Sequence, residues 1–285
     1  MRGKRTSLAV LAAAVLAAGF SATAAYAATI IGDDTVETLT GTPGNDNMEA
    51  KGGDDTVNSL SGDDTVNAGT GNDRVDAGDG NNHVEGGPDN DSITSAGGDD
   101  TINGGEGNDV INGGDGNNNV DGGSGDDLIE TGIGFDGLVG GEGNDGLVGG
   151  INGDGLMGQA GNDTLLGQEG DDKMWGGEGD DNLRGAADND FIWGGAGADV
   201  IFGGPGNDHI VALAAIDTQL PGGDVVRSGR GNDIVRVRDG EADRVFCGPG
   251  KDIVYADDED KVNPTCDLAK RGAPRPGADA MEVSH

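Results

Sequence analysis

Aromatic residues are scarce. Phe, Trp and Tyr make up 3% of the 285 residues, so few of the large side chains that fill an ordinary globular core are present. Positive charge is scarce too, with 17 Lys and Arg against 53 Asp and Glu and a formal net charge of −36. That balance argues against nucleic acid as a partner, because phosphate contacts need clustered basic groups. The three histidines, His83, His209 and His285, stand apart from one another, and neither HExxH nor GxSxG occurs. The usual metallohydrolase and serine-hydrolase layouts are therefore missing, and zinc has no His and Cys set to bind. Past residue 27 no apolar run is long enough to cross a bilayer, and no window keeps helical periodicity. Low aromatic content with high negative charge is also the composition of disordered chains.

The pattern of residues contradicts disorder. From Gly41 to Val211 one nine-residue unit, G-G-x-G-x-D-x-U-x with U aliphatic, recurs nineteen times without insertion or deletion. Clear copies are Gly104–Asn112, Gly140–Val148 and Gly194–Phe202. The sixth place is Asp in seventeen copies and Asn in two, Asn82 and Asn118. The eighth is aliphatic throughout, from Met48 to Ile210, and the first is always small. The fourth is Gly except at Asp89, Asn152 and Asp188, residue types that tolerate positive φ. Places seven to nine thus predict a three-residue strand with its middle side chain inward. Places one to six predict a Gly-rich turn. Two units per coil give an all-β, parallel β-solenoid with a strand on each side, a turn at each end and a thin aliphatic core.

This nonapeptide resembles the calcium-binding repeats of the hemolysin-type (RTX) proteins over 171 of the 285 residues. The resemblance implies a right-handed β-roll with Ca²⁺ between stacked turns, held by turn carbonyls and the sixth-place carboxylate. Carried onto this chain, the ligands are Asp46, Asp55, Asp64, Asp73, Asp91, Asp100, Asp109, Asp127, Asp136, Asp145, Asp154, Asp163, Asp172, Asp181, Asp190, Asp199 and Asp208. The repeat count offers up to roughly seventeen ions under the ligand logic of calcium sites. EF-hands are not expected, because the bidentate Glu at the twelfth loop position is missing.

Elementary electrostatics also calls for a cation. Stacked turns bring successive carboxylates to about 4.8 Å spacing, a density that repels unless neutralised. Mg²⁺ suits such a carbonyl-rich turn less well, since it keeps a tight hydrated octahedron. One aliphatic per nine residues is a thin core for a Gly-rich backbone to fold around. Calcium is therefore expected to supply folding free energy, leaving the metal-free chain expanded.

Residues 1–27 read as a secretory signal peptide: Arg2, Lys4 and Arg5, an apolar stretch around Leu8–Phe20, then Ala25-Tyr26-Ala27. A retained anchor is the alternative, although the run is short. Export makes Cys247 and Cys266 an expected disulfide, worth about 3 kcal/mol in the loop-entropy model. Residues 28–40, with Leu39 in register, predict an N-terminal cap; 212–227 an interrupting loop or short helix; 228–266 degenerate repeats forming a disulfide-stapled C-terminal cap; and 267–285 a disordered tail. Asp233 and Asp252 are further calcium candidates in that cap. Ten of the fourteen Lys and Arg beyond residue 27 fall between Arg227 and Arg275, interleaved with acids. That interleaving favours neutralisation within the cap over a patch for an anionic polymer.

The ninth place faces outward and changes character. It is polar in the first ten copies, Glu49 to Glu130, and then runs through Val139, Val148, Met157, Leu166, Trp175, Arg184, Trp193, Phe202 and Val211. At eighteen residues per coil, Val139, Met157, Trp175, Trp193 and Val211 fall on one face, with Phe191 nearby. Such a strip is covered by the 212–227 segment or the cap, joins a second copy, or binds a cell-surface glycan or protein; the oligomeric state stays open. An ice-ordering face would want an outward Thr ladder, whereas the third place runs through Asp79, Glu106, Ile133 and Glu169. Only about thirteen residues precede the array after the expected cleavage site, and acid pairs such as Asp54-Asp55 abound as turn chemistry along the array instead of marking one differentiated site. The expectation is a secreted or cell-surface calcium-binding structural or interaction protein, not an enzyme.

Overall fold

A computed structural model describes residues 27–213 and 223–272. The expected leader, residues 1–26 of it, therefore lies outside the described residues. The described chain is all β, with no helix among those residues, and divides into two compact units, one up to Leu128 and one from Ile129.

In the first unit the strands Thr29–Ile31, Asn47–Glu49, Thr65–Asn67, His83–Pro88, Thr101–Glu106 and Asn119–Ser124 pair in that order. Every pairing is parallel, and partners are eighteen residues apart, as in Asn47↔Thr65. The intervening strands Thr38–Thr40, Thr56–Asn58, Arg74–Gly78, Ser92–Ser95 and Val110–Gly114 build a second sheet in the same way. The stretch 28–40 is thus the first coil of the stack, with Ile30 and Leu39 turned inward.

The second unit repeats the plan. One sheet runs from Gly137–Glu142 through Lys173–Glu178 and His209–Val211 to Leu268–Arg271. The other runs from Gly146–Ile151 to Lys261–Val262. Two nonapeptides per coil follow from these registers. Strands are often six residues long, because places two and three of the next repeat also pair, as in Gly141↔Gln159 and Glu142↔Ala160. The turn is correspondingly tighter than a six-residue bend.

The core of each unit is a row of eighth-place side chains, Val57, Ile102 and Val120 in the first and Leu138, Leu165 and Ile192 in the second, all at most 1% exposed. Burial of each contributes about 1.5–3 kcal/mol. Positive φ at Asp89, Asn152 and Asp188 agrees with the reading of the fourth place. A second left-handed position was not legible: place two carries it even where it holds Lys51, Leu60, Gln159, Gln168 or Ala186.

Two expected boundaries shift. The strand Val225–Arg230 pairs with Val200–Pro205 in register, so the coil has resumed by Asp224 and the end of the 212–227 interval belongs to it. Residues 214–222 lie outside the described residues. The expected tail does not begin at Asp267, because Leu268–Arg271 is a strand on Ile253–Ala256. Residues 273–285 lie outside the described residues.

Cys247 and Cys266 form a disulfide with a Cα–Cα distance of 5.0 Å. Cys247 takes the inward first place of its repeat and is 7% exposed. Buried Arg238 adds a second closure: its Nε donates to Ala256 O at 3.2 Å and its guanidinium to Lys270 O at 2.6 Å. Cap basic residues also stack on rings. Arg227 lies 5.2 Å from the Phe202 ring and 5.3 Å from Phe246, and Arg236 lies 5.4 Å from Tyr255. Arg227, Arg236 and Arg238 thus lie over aromatic rings or close onto backbone carbonyls.

Candidate metal centre

The sixth-place carboxylates form two ladders in each unit, one per turn side. Each Oδ1 accepts the N–H of the sixth-place residue eighteen positions earlier: Asp46 N to Asp64 and Asp55 N to Asp73 at 2.7 Å, Asp172 N to Asp190 at 3.0 Å. The ladders absorb the degenerate repeats through Asp208 N to Asp233 and Asp233 N to Asp252. They also recruit Asp224 and Asp243, which the repeat pattern alone did not single out as site residues. Their signal was present, since Asp224-Val225-Val226 and Asp243-Arg244-Val245 keep the spacing from carboxylate to inward aliphatic. The ladder step from Asp199 to Asp224 spans 25 residues instead of 18, and that insertion hid the frame of Asp224.

These carboxylates are deeply buried; Asp55 is 2% exposed, and Asp163 and Asp208 are 1% exposed. With Oδ1 committed to the ladder, Oδ2 of Asp55, Asp73, Asp91 and Asp109 has no hydrogen-bond donor. The same holds in the second unit for Asp154, Asp163, Asp172, Asp181, Asp190, Asp199 and Asp208, and for Asp233, Asp243 and Asp252 in its last coils. An orphaned carboxylate oxygen recurring through most of the turns is what a buried anion that lacks a positive partner looks like. The first place is small because this oxygen fills it: a Cβ on Gly104 would sit 2.3 Å from Asp109 Oδ2.

Two sixth-place oxygens are already spent. Asp46 Oδ2 accepts Thr42 N at 2.5 Å, and Asp100 Oδ2 accepts Ser95 Oγ at 2.6 Å. Asp127, Asp136 and Asp145 are buried in the same setting. Among the described residues no three His, Cys, Asp or Glu side chains converge on one point. A cation would therefore take most of its ligands from turn carbonyls, as the resemblance implies.

Desolvation shifts these groups. Burial pushes Asp91, Asp154 and Asp208 up to about 7, and Asp181 and Asp190 up to about 8, against the lowering effect of the ladder hydrogen bond. Asp243 rises to about 9, through burial and then the nearby Asp239 charge. Without a positive partner these six carboxyls titrate close to or above neutral pH.

The profile of the RTX calcium-binding nonapeptide repeat (4 copies) matches residues 31–66, 59–93, 94–129, 148–183, 175–210 and 220–254, more than half of the chain. The chain belongs to this RTX family. It is a calcium-binding β-helical repeat protein. None of the curated proteins compared with it matches significantly. Among solved structures it is similar to a hyperactive, Ca²⁺-dependent, β-helical antifreeze protein from an Antarctic bacterium. That match has 23% identity, a TM-score of 0.56 and coverage of 83% of this chain and 86% of the other. It supports the solenoid fold.

The outward strip of this RTX chain lies in the second unit. Val139 pairs with Met157, Met157 with Trp175 and Trp175 with Trp193. Phe191 lies 6.3 Å from the Trp175 ring and meets His209 edge-on at 5.0 Å. Between Trp175 and Trp193 is a shallow hollow of about 430 Å³ floored by Gly177, Gly194 and Gly195. Val211 is not an exposed rung as expected: it is 4% exposed, at a coil where Ala212 and Leu213 are buried beside it.

Proposed function

We propose that this RTX chain is an exported protein whose folding is coupled to calcium and which serves as a structural or surface-interaction module. The observation that carries the reading is the donor-less Oδ2 that recurs turn after turn. Calcium, a hard cation that takes six to eight oxygen ligands, supplies the missing positive charge when bound. The sixth-place aspartates from Asp55 to Asp208 other than Asp100, whose Oδ2 accepts Ser95 Oγ, would hold it together with turn carbonyls, as would Asp224, Asp233, Asp243 and Asp252. The chain's own part is to present these oxygens in stacked, water-poor bends. Export is supported by the basic-apolar leader ending in Ala25-Tyr26-Ala27 and by the disulfide, which suits an oxidising compartment.

Far-UV circular dichroism of metal-free and calcium-saturated protein tests the coupling. A β spectrum that develops only with calcium is expected; an identical spectrum in both states would contradict it.

The hollow between Trp175 and Trp193 favours a second reading, in which the aromatic strip binds a cell-surface glycan or protein. Sedimentation of cell-wall material with wild type and Trp175→Ser, in calcium and in chelator, tests it: retention lost in the variant supports the reading, and equal retention defeats it. The neighbour's antifreeze activity is not carried over, because the third place presents Asp79, Glu106, Ile133 and Glu169 where a Thr ladder would be wanted.

A further inference from the structure

Two turns of the first unit carry Asn at the sixth place, and their hydrogen bonds reveal the polarity of the space that the other turns leave for an ion. Asn82 Oδ1 keeps the ladder role, accepting Asp64 N at 3.0 Å. Its Nδ2 then stands where an aspartate has Oδ2, and it donates to Gly80 O at 3.1 Å and Gly78 O at 3.3 Å. Asn118 repeats the arrangement: Oδ1 accepts Asp100 N at 3.0 Å, while Nδ2 reaches Gly114 O and Gly116 O at 3.2 Å. The amide orientation is fixed from both ends, by an N–H donor on one side and two carbonyl acceptors on the other. The space beside Oδ2 is therefore ringed by acceptors. An aspartate there needs a cation; an asparagine brings its own donors.

The turn between these two is closed as well. Asp100 Oδ2 accepts Ser95 Oγ at 2.6 Å, and Ser95 Oγ lies 3.3 Å from Asn82 Nδ2. A hydrogen-bonded chain thus runs from the amide through the hydroxyl to the carboxylate of the next coil. Ser95 is essential to it, because most repeats have Gly at that first place.

We infer that the three successive turns ending at Asn82, Asp100 and Asn118 close without calcium, so that the ion row on that side of the first unit is interrupted by an amide–hydroxyl clasp. The clasp fixes three adjacent coils at calcium levels that leave the remaining turns open. This inference rests on the calcium reading.

Equilibrium dialysis with elemental analysis of the full chain counts the ions. Asn82→Asp with Asn118→Asp is expected to bind more calcium than wild type, and the reciprocal Asp109→Asn to bind less while keeping its β spectrum. An unchanged count in the double variant overturns the inference, whereas a wild type that binds no calcium overturns the calcium reading itself. Hydrogen exchange of wild type after chelator addition reads the clasp without a variant. The amides of Asp64 and Asp100, which donate to Asn82 and Asn118, are expected to exchange about tenfold slower than those of Asp55 and Asp73, which donate to carboxylates. Equal rates overturn it.

Discussion

Leu60 sits at φ +81°, a left-handed conformation that costs an ordinary L-residue about 1–2 kcal/mol. Its carbonyl is held by Asp79 N at 3.2 Å, so the coil above imposes the strain. Leu60→Gly should raise the calcium-saturated stability by about 1 kcal/mol in urea unfolding, despite the loss of a side chain. Gly104 is the opposite case. Gly104→Val would drive a side chain into Asp109 Oδ2 and Gly122 O, and should cost about 1–3 kcal/mol in the same assay. Sequence revealed the fourth-place demand because Asp and Asn replace Gly there. It hid the second-place demand because Leu, Lys and Gln carry no conformational signature. The carboxylates give a pH prediction. Their folded values lie above the unfolded value of about 3.9, so the metal-free fold binds extra protons. That stabilisation is complete below about pH 4 and is lost as pH rises towards about 8. Dialysed, metal-free protein should show more β signal at pH 4 than at pH 8, and calcium should remove the difference. A metal-free β signal that grows with pH would contradict this account.

Each strand is specified by its place in the nonapeptide, which is why sheets, register and core are legible in the amino-acid sequence alone. Where the period breaks, legibility breaks with it. The coil that resumes at Asp224 was hidden because its turn no longer follows the previous strand at a fixed distance. The strand Leu268–Arg271 was missed because its cue is weak: Asp267 keeps the carboxylate place, accepting Asp252 N at 3.1 Å, but the eighth place holds only the small Ala269, and the strand pairs with Ile253–Ala256 at a spacing of fifteen. In this region the register also leaves eighteen, with Val225↔Arg244, Arg244↔Lys261 and Ile253↔Leu268. Covalent and guanidinium closures replace the missing regularity. Replacing both Cys247 and Cys266 by Ser should cost about 3 kcal/mol locally. Hydrogen exchange should then accelerate in the strands Ile253–Ala256 and Leu268–Arg271 and stay unchanged in the Asp-bearing repeats before Val211. Uniform acceleration would show that the cap does not act as a separate closure.

For the whole molecule, charge decides. A formal −36 on 285 residues opposes any compact state, and ordinary screening reduces that repulsion without occupying the turns. Sodium chloride at about 1 M, where the Debye length is about 3 Å, should therefore contract the metal-free chain only in part, while millimolar calcium should complete the folding. Hydrodynamic radius by light scattering separates the two. If salt alone gives the calcium-bound radius, screening and not coordination folds the protein. The central claim is that buried aspartate oxygens are completed by calcium, and calorimetric titration of the metal-free protein tests it most directly. The account predicts saturable heat from many ions per chain, accompanied by proton release as the raised carboxyls ionise. No heat at millimolar Ca²⁺ would contradict it.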